Sequence, residues 1–275
     1  MNRLAIQLTD PNDARLDHYR DLRGRGAGQG DRFVAEGFYL LERLVASDYP
    51  IESIVSSESA LRRIHPLAPA DIPIYVLSNS AIERLTGFDF HRGVLACAKR
   101  RQSPNLEALV TNATDRQTLV ILPHIHDQTN LGGILRNCAA FGVDAVVMGA
   151  NCTDQLGRRT LRVSMGASLA RSITHVADVT ETLYRLRNDF DFHIAAATTH
   201  QEAIPMERFR RPERLGILLG PEGDGLSQDL IDAANSQVTI PMAPSKSRSQ
   251  ILATDSLNVA VSSGILLYGL TRPTV

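Results

Sequence analysis

Residues Leu218 to Ser227 read Leu-Leu-Gly-Pro-Glu-Gly-Asp-Gly-Leu-Ser. An apolar strand here runs into a Gly-Pro turn, presents one carboxylate at Glu222 and enters a helix that Ser227 can cap. Glycine permits tight backbone geometry and leaves N–H groups exposed, so this turn can hold a ligand close to the main chain. Taken alone, the Gly-Pro-Glu-Gly motif is also compatible with an ordinary turn.

Short apolar strands alternate with helices on both sides of this turn. The predicted strands are Leu119 to Leu122, Ala145 to Met148, Ser172 to Val176, His193 to Ala197, Leu215 to Leu219 and Val238 to Ile240. The predicted helices are Asn130 to Phe141, Val179 to Phe190 and a last one that Ser256 begins. This alternation predicts an α/β fold with a parallel sheet covered by helices on both faces. Such sheets bind ligands at the carboxyl ends of their strands.

The N-terminal part of the chain has the pattern of a smaller α/β unit. Its predicted elements are a helix from Phe38 to Val45 and strands from Ile51 to Val55, Ile72 to Leu77 and Val94 to Ala98. Ser80 and Glu83 have the spacing of a capping box and predict the start of a short helix. We therefore divide the chain into a domain 1–100, a polar linker 101–117 and a domain 118–275.

Composition is that of an ordinary globular protein. Of the 275 residues, 43% are hydrophobic and 21% charged, and the net charge of −1 gives no global argument for nucleic acid. Cys97, Cys138 and Cys152 lack a Cys-x-x-Cys spacing, so we expect reduced thiols and no metal site. No signal peptide or membrane-spanning segment is visible, which leads us to expect a cytoplasmic protein.

Basic residues form two local clusters. These are Arg20, Arg23, Arg25 and Arg32 in one, and Lys99, Arg100 and Arg101 in the other. Each cluster is compatible with a nucleic-acid-facing patch and equally with an ordinary solvated face.

A second segment with paired glycines covers residues 126–137, at the end of the strand Leu119 to Leu122. Its apolar residues form one stripe, and Arg136 lies off that stripe, four and three positions after Gly132 and Gly133. Each glycine costs a helix about 1 kcal/mol relative to alanine, so the pair indicates close approach of a ligand or of another backbone. The alternative is a surface arginine on a tightly packed helix.

A third segment begins with Ile240-Pro241-Met242 and resumes, after a loop, with Ser256-Leu257-Asn258-Val259. Ser256 is a suitable N-cap, and Asn258 falls in the first turn, where its amide can reach outward. Plain capping and close helix packing explain the same residues.

Together the three segments resemble the ordered motifs of the TrmH (SpoU) family of SPOUT methyltransferases. The first has the form Asn-x-Gly-x-x-x-Arg, the second is Gly-Pro-Glu-Gly, and the third is Ile-Pro-Met followed by Ser-Leu-Asn-Val. The match extends over residues 118 to 270. In addition, Ala35-Glu36-Gly37 and His91-Arg92-Gly93-Val94-Leu95-Ala96 are similar to the substrate-binding domain of that family, which resembles small RNA-binding ribosomal proteins.

The resemblance implies a parallel C-terminal sheet with a deep trefoil knot, preceded by a small α/β RNA-binding domain. It implies transfer of a methyl group from S-adenosylmethionine to a ribose 2′-hydroxyl of tRNA or rRNA, by a homodimer that associates through the C-terminal domain. The residues at catalytic positions are Asn130, Arg136, Glu222, Ser256 and Asn258. The residues at cofactor positions are Thr198, Gly220, Ile240 and Leu257.

Two features depart from the family pattern or from its usual interpretation. The loop 243–255 is longer than usual and is expected to border the adenine pocket. The family mechanism gives the arginine a base-like role, but a guanidinium keeps its proton at neutral pH. Our hypothesis is that Arg136 grips an RNA phosphate and polarises the 2′-hydroxyl, while Glu222 or the phosphate assists deprotonation.

Two other functions are compatible with an α/β chain. One is a non-catalytic RNA-binding protein that retains the fold. The other is an enzyme that binds a nucleotide cofactor on an open sheet, which requires a Gly-x-Gly-x-x-Gly turn that the sequence lacks. The sequence does not distinguish tRNA from rRNA.

Overall fold

The computed structural model of the chain describes residues 5–22, 30–110, 116–170, 172–200, 202–221, 223, 225–243 and 256–271. Its first elements are β1 (Ala5–Gln7), a 3₁₀ helix (Ala14–Tyr19), β2 (Arg32–Glu36), α1 (Phe38–Val45), β3 (Ile51–Ser57), α2 (Leu61–Ile64), β4 (Ile74–Leu77), α3 (Asn79–Thr86), β5 (Val94–Lys99) and α4 (Leu106–Val110). There follow β6 (Gln117–Leu122), α5 (Gln128–Ala140), β7 (Ala145–Gly149), α6 (Arg158–Val163), α7 (Ala167–Ala170), β8 (Ser172–Val176) and α8 (Val179–Asn188). The last are β9 (His193–Ala197), β10 (Ile204–Pro205), a 3₁₀ helix (Met206–Arg208), β11 (Arg214–Leu218), α9 (Gln228–Asp232), β12 (Ser236–Thr239) and α10 (Val259–Thr271).

The chain forms two compact units. The first comprises Met1–Gln102 and Asp154–Ala170, and the second comprises Ser103–Thr153 and Arg171–Val275. The first unit is thus discontinuous in sequence, whereas the pattern analysis divided the chain once, at a linker 101–117. Within that proposed linker, residues 106–110 form α4.

The first unit is built on a five-stranded mixed sheet in the order β1-β4-β3-β5-β2. The strands β1, β4 and β3 run parallel, while β5 is antiparallel to both β3 and β2. Residues alternate between the two faces, as the period of a strand requires. In β4, for example, Ile74 and Val76 enter the core on one face, and Tyr75 and Leu77 enter the core on the other.

Apolar side chains place the segment Asp154–Ala170 in the first unit. Leu156, Leu161 and Leu169 are buried in the same core as the leucines of α1. A bidentate pair adds a polar contact, because the Nη1 and Nη2 atoms of Arg100 lie 3.0 and 2.5 Å from the two carboxylate oxygens of Asp154.

The second unit contains a seven-stranded sheet in the order β10-β12-β9-β11-β6-β7-β8, and all its pairings are parallel. Helices α5 and α10 cover one face, and α4, α8 and α9 cover the other. The predicted α/β architecture with a parallel sheet covered on both faces is therefore confirmed. Strand β11 lies between β6 and β9 at the centre of the sheet, although it follows both in the sequence. The central strands therefore come from distant parts of the sequence.

Three predicted helix starts were wrong. Helix α5 begins at Gln128, with Asp127 as its cap, two residues before the predicted start at Asn130. Helix α3 is capped by Ser78, whose hydroxyl accepts from the N–H of Ala81, so it begins before the predicted cap at Ser80. The last helix begins after Asn258 rather than at Ser256, since the Asn258 amide oxygen accepts from the first-turn N–H groups. At the starts of α3 and α10 several residues that could cap a helix stand close together in the sequence, and tertiary packing selects among them. Within the described residues, no helix is long and apolar enough to cross a membrane.

Candidate active site

A cavity of about 520 Å³ opens at the carboxyl ends of β9, β11 and β12, beside the start of α10. Its wall contains Thr198, Thr199, His200, Leu219, Gly220, Pro221, Gly223, Gly225, Leu226, Thr239, Ile240, Met242, Ser256, Leu257, Asn258 and Ser262, among others. Leu219, Val238 and Leu266 are buried and form part of an apolar floor. The cavity therefore combines an apolar floor with polar groups from loops, as small-molecule sites usually do.

Gly220 marks the tightest turn of the cavity wall. A β-carbon at Gly220 would lie 2.9 Å from the backbone nitrogen of Leu226 and 3.0 Å from the carbonyl carbon of Gly225, so the loop after β11 folds back on itself. Gly223 and Gly225 have φ angles of +92° and +69°, a region that glycine enters without strain. Glu222, predicted to be catalytic, lies outside the described residues.

Polar groups at the end of β9 are linked to β12. The backbone N–H of Thr198 donates to the carbonyl oxygen of Val238 at 3.0 Å. The Oε1 atom of Gln237 lies 3.3 Å from the Thr198 hydroxyl and 2.9 Å from Nδ1 of His200. His200 was not among the predicted site residues; only its position two residues after Thr198 pointed to it.

Asn258 joins the cavity wall to α5. Its Nδ2 donates to Oδ1 of Asn130 at 2.8 Å, and its Oδ1 accepts from the N–H groups of Ala260 at 3.0 Å and Val261 at 3.2 Å. Asn130 stands in the first turn of α5, where Asp127 caps the helix by accepting from the N–H of residue 130. One side chain thus caps α10 and holds the first predicted motif against the third.

A second contact holds α5 and α10 together further along. The Nδ2 of Asn137 donates to the carbonyl oxygen of Ala260 at 2.8 Å and to the hydroxyl of Ser263 at 2.9 Å. A β-carbon at Gly133 would lie only 2.8 Å from the β-carbon of Ala260. The close approach inferred from the paired glycines is therefore, at Gly133, the packing of α10. Sequence reasoning missed Asn137, which stands next to Arg136 without a motif of its own.

Arg136 is exposed on α5 and is not among the residues that line the cavity. It lies about 9 Å along the helix axis from Asn130, given a rise of about 1.5 Å per residue. Arg136 makes no hydrogen bond or ion pair with the residues that the structure describes, so its guanidinium is available to a substrate anion.

A histidine pair stands at the carboxyl end of β6. The rings of His124 and His126 meet edge to face with their centroids 4.1 Å apart, and their Nε2 atoms are in contact. Neither residue was predicted from the sequence.

The cavity gathers most of the predicted residues. Those that line it are Thr198, Gly220, Ile240, Ser256, Leu257 and Asn258. Asn130 is bonded to Asn258, and Arg136 lies on the same helix as Asn130. Most of the loop 243–255 lies outside the described residues, so its expected contact with the adenine pocket stays a prediction.

Residues 117–268 match the model of the SpoU rRNA Methylase family. An uncharacterized tRNA/rRNA methyltransferase of Mycobacterium bovis is 35% identical over 274 residues, covering 96% of this chain and 91% of the relative. The 23S rRNA (guanosine-2′-O-)-methyltransferase RlmB of Acinetobacter baylyi is 27% identical over 219 residues, covering 78% of this chain and 85% of that protein.

Solved structures share the fold over nearly the whole chain. The AdoMet-bound rRNA methyltransferase from Sinorhizobium meliloti superposes with a TM-score of 0.78 at 21% identity and covers 97% of both chains. A structure described as an RNA 2′-O ribose methyltransferase superposes with a TM-score of 0.73 at 25% identity, covering 96% of this chain and 98% of the other. Fold and site together define an RNA methyltransferase of the α/β class. The chain belongs to the SpoU rRNA methylase family.

Proposed function

We propose that this enzyme transfers the methyl group of S-adenosylmethionine to a ribose 2′-hydroxyl of tRNA or rRNA. The observation that carries the proposal is the hydrogen bond between the side chains of Asn130 and Asn258. It joins the first sequence motif, on α5, to the cavity that residues of the second and third motifs line. The activities for which the RlmB relative and the ribose methyltransferase structure are named support the 2′-hydroxyl as acceptor. The position of β11 between β6 and β9 is compatible with the trefoil knot that the resemblance predicts.

The cavity has the size and lining that a nucleoside cofactor needs. Its volume of about 520 Å³ falls within the range of ligand pockets, and the tight turn at Gly220 brings main-chain groups to its wall. Thr198, Gly220, Ile240 and Leu257 are the residues that would hold the cofactor. When bound, S-adenosylmethionine supplies an electrophilic methyl group on a positively charged sulfur.

The polar residues near the cavity mouth are proposed to orient the RNA. Arg136 keeps its positive charge at any physiological pH and presents a fork of N–H groups suited to phosphate oxygens. Asn130, Ser256 and Asn258 supply hydrogen bonds to a ribose, and holding the hydroxyl in line with the methyl carbon lowers the barrier by positioning. We assign Glu222, from its sequence motif alone, to assist removal of the hydroxyl proton.

We also propose that the enzyme is a homodimer that associates through α10. This helix contains no charged residue, and its outward side chains Val261 and Tyr268 are 51% and 48% exposed. A helix that is apolar on all sides is normally buried on all sides, so a second copy of the chain is the expected cover. Sedimentation of the purified chain tests this, and a monomer at micromolar concentration contradicts it.

Methyl transfer from labelled S-adenosylmethionine to total tRNA and to total rRNA, separately, tests the proposed reaction. Ribose methylation leaves an alkali-resistant labelled dinucleotide and names the RNA class. The variant Arg136→Ala should abolish incorporation, while the control Arg185→Ala, a surface arginine of α8, should leave it unchanged. Cofactor binding without incorporation into either RNA would instead favour the non-catalytic RNA-binding protein.

The variant Arg136→Lys separates the two roles discussed for this residue. Lysine retains the charge but loses the bidentate fork, so a phosphate grip predicts a large loss of rate across the whole pH range. A nearly intact rate at neutral pH would contradict the grip.

A further inference from the structure

The two basic clusters found in the sequence are largely neutralised in the folded first unit. Four of these side chains pair with acids outside the clusters: Arg20 with Asp17, Arg32 and Lys99 with Glu52, and Arg101 with Asp48. Arg100 is held by the bidentate pair with Asp154, while Arg23 and Arg25 lie outside the described residues. The described members of these clusters, Arg20, Arg32, Lys99, Arg100 and Arg101, therefore offer RNA little unpaired positive charge.

A different group of arginines in the same unit lies on aromatic rings. The guanidinium carbon of Arg63 is 4.0 Å from the ring centroid of Phe38, and that of Arg158 is 4.0 Å from the ring centroid of Phe88. Arg63 is exposed and forms no ion pair with any residue that the structure describes. An exposed guanidinium over a ring can also stack on a second planar group, and stacking on arginine is a common way to bind unpaired nucleobases.

A buried carboxylate, Glu36, pairs with Arg158 and with one further arginine, Arg92. Glu36 is only 4% exposed, and its oxygens lie 3.5 Å from Nε of Arg92 and 3.5 Å from Nη1 of Arg158. At that distance Oε2 of Glu36 and Nη1 of Arg158 are both buried without a hydrogen bond. Burial lowers the pKa of Arg158, the charge of Glu36 opposes that shift, and the like charges of Arg162 and Arg92 add to it.

Two glycines, one directly after β2 and one directly before β5, lie beside members of this group. Gly93 has a φ of +73°, and the position of its missing β-carbon is 3.4 Å from the ring of Phe38. Gly37 has a φ of +101°, and the corresponding position is 3.5 Å from the Arg92 side chain. Gly37 also begins α1 without a side-chain cap, which leaves first-turn N–H groups on the same side. We call Phe38, Arg63, Phe88, Arg92 and Arg158 the arginine–aromatic surface.

We propose that the arginine–aromatic surface is the RNA contact of the first unit, with Arg63 stacking on an unpaired base and Arg92 and Arg158 binding phosphates. The inference rests on the proposed function in taking RNA as the substrate. We prefer it to the two clusters that sequence patterns suggested because Arg63 lies over an aromatic ring without an ion pair to any described residue, whereas every described member of the clusters has an acidic partner. An RNA ligand fits better than an acidic protein because the surface combines stacking faces with three arginines, two of which share the single carboxylate Glu36.

The test compares two double variants of the full chain in which each loses two arginines. Arg63→Ala with Arg92→Ala removes two exposed members of the surface, whereas Arg15→Ala with Arg101→Ala removes arginines paired with Asp13 and Asp48. Filter binding of total rRNA and of total tRNA is measured without cofactor over a series of salt concentrations. Thermal denaturation and S-adenosylmethionine binding confirm that each variant is folded.

The surface variant should bind the preferred RNA at least about tenfold more weakly, with the slope of log affinity against log salt reduced by about one to two. The control should remain close to wild type. The single variant Arg63→Lys should keep the salt slope while losing affinity, because lysine retains charge but stacks poorly.

Equal binding by the surface variant and wild type overturns the inference, and so does an equal loss in the control, which would indicate only a general charge effect. Binding that depends on the surface, in a chain that transfers no methyl group, would refute the proposed function and leave this inference standing. If the chain methylates ribose and the surface variant binds RNA as well as wild type does, the proposed function stands and this inference is refuted.

Discussion

The double role of Asn258 permits a separation of stability from activity. Its amide oxygen caps α10, while its amide nitrogen holds Asn130 at 2.8 Å. The variant Asn258→Ala removes both contacts. The variant Asn258→Ser retains an oxygen that can cap the helix but is too short to reach Asn130.

The expected magnitudes follow from these contacts. Loss of an N-cap costs about 1 kcal/mol, and loss of one exposed amide hydrogen bond costs about 0.5 kcal/mol. Asn258→Ala should therefore lose about 1.5 kcal/mol and lower the Tm by about 4 °C, and Asn258→Ser should lose about 0.5 kcal/mol and lower it by 1 to 2 °C. Both variants free Asn130 from the cavity wall, so both should lose roughly tenfold to a hundredfold in kcat.

Thermal denaturation and single-turnover transfer of labelled methyl measure the two effects on the same preparations. Cofactor binding by calorimetry shows whether the cavity is intact in each variant. A serine variant with full activity would refute the bridging role, since it would show that capping is all that Asn258 contributes. Equal Tm values for the alanine and serine variants would refute the capping role instead.

Three further outcomes are expected. Gly133→Ala gains about 1 kcal/mol of helix propensity, but its β-carbon would meet that of Ala260 at 2.8 Å, and overpacking of this kind costs about 1–3 kcal/mol. The net loss of stability should be about 1 kcal/mol, and methyl transfer should fall as well. A rise in the Tm would show that the helices can separate without cost. Burial raises the pKa of Cys97 to about 12, so a thiol reagent at pH 8 should label Cys97 only after unfolding, as mass spectrometry of the labelled peptides can check. Burial, and to a smaller extent the charge of Arg187, lower the pKa of His193. At a pH below about 6.5 the unfolded chain therefore binds a proton at His193 that the folded chain does not bind, and stability should fall as the pH drops through this range. Denaturant titrations at pH 7.5 and 5.5 should show a smaller drop for His193→Gln than for wild type.

Much of the second unit was predictable because its signals are local. Strands such as β6 and β11 are short, nearly uninterrupted apolar runs, a pattern typical of buried strands. The neighbouring helices show the 3.6-residue period of an amphipathic helix instead. The ordered motifs then coincide with the cavity, which Gly220, Ile240 and Leu257 line, while their contact with the cofactor stays a prediction. The sequence could not show that Asn258 would cap α10 itself, because Ser256 offered an equally good local cap.

Other features depend on contacts that no sequence window contains. The role of Asn137 arises only when α10 lies against α5, 123 positions later in the chain. The neutralisation of Arg32 and Lys99 by one carboxylate requires β3, β5 and β2 to lie side by side, so that Glu52 of β3 reaches Lys99 on the neighbouring strand and Arg32 on the strand beyond it. The strand Arg32–Glu36 was missed because its burial comes from tertiary packing of both faces rather than from a clear local pattern.

The discontinuity of the first unit has a consequence for how this protein can be divided. The backbone passes between the units three times, at 102/103, 153/154 and 170/171. A chain cut before Ser103 would keep Leu156, Leu161 and Leu169 but lose the core that buries them. Neither half is then a portable module: exchange of the N-terminal half for that of a relative would have to replace the inserted helices α6 and α7 as well.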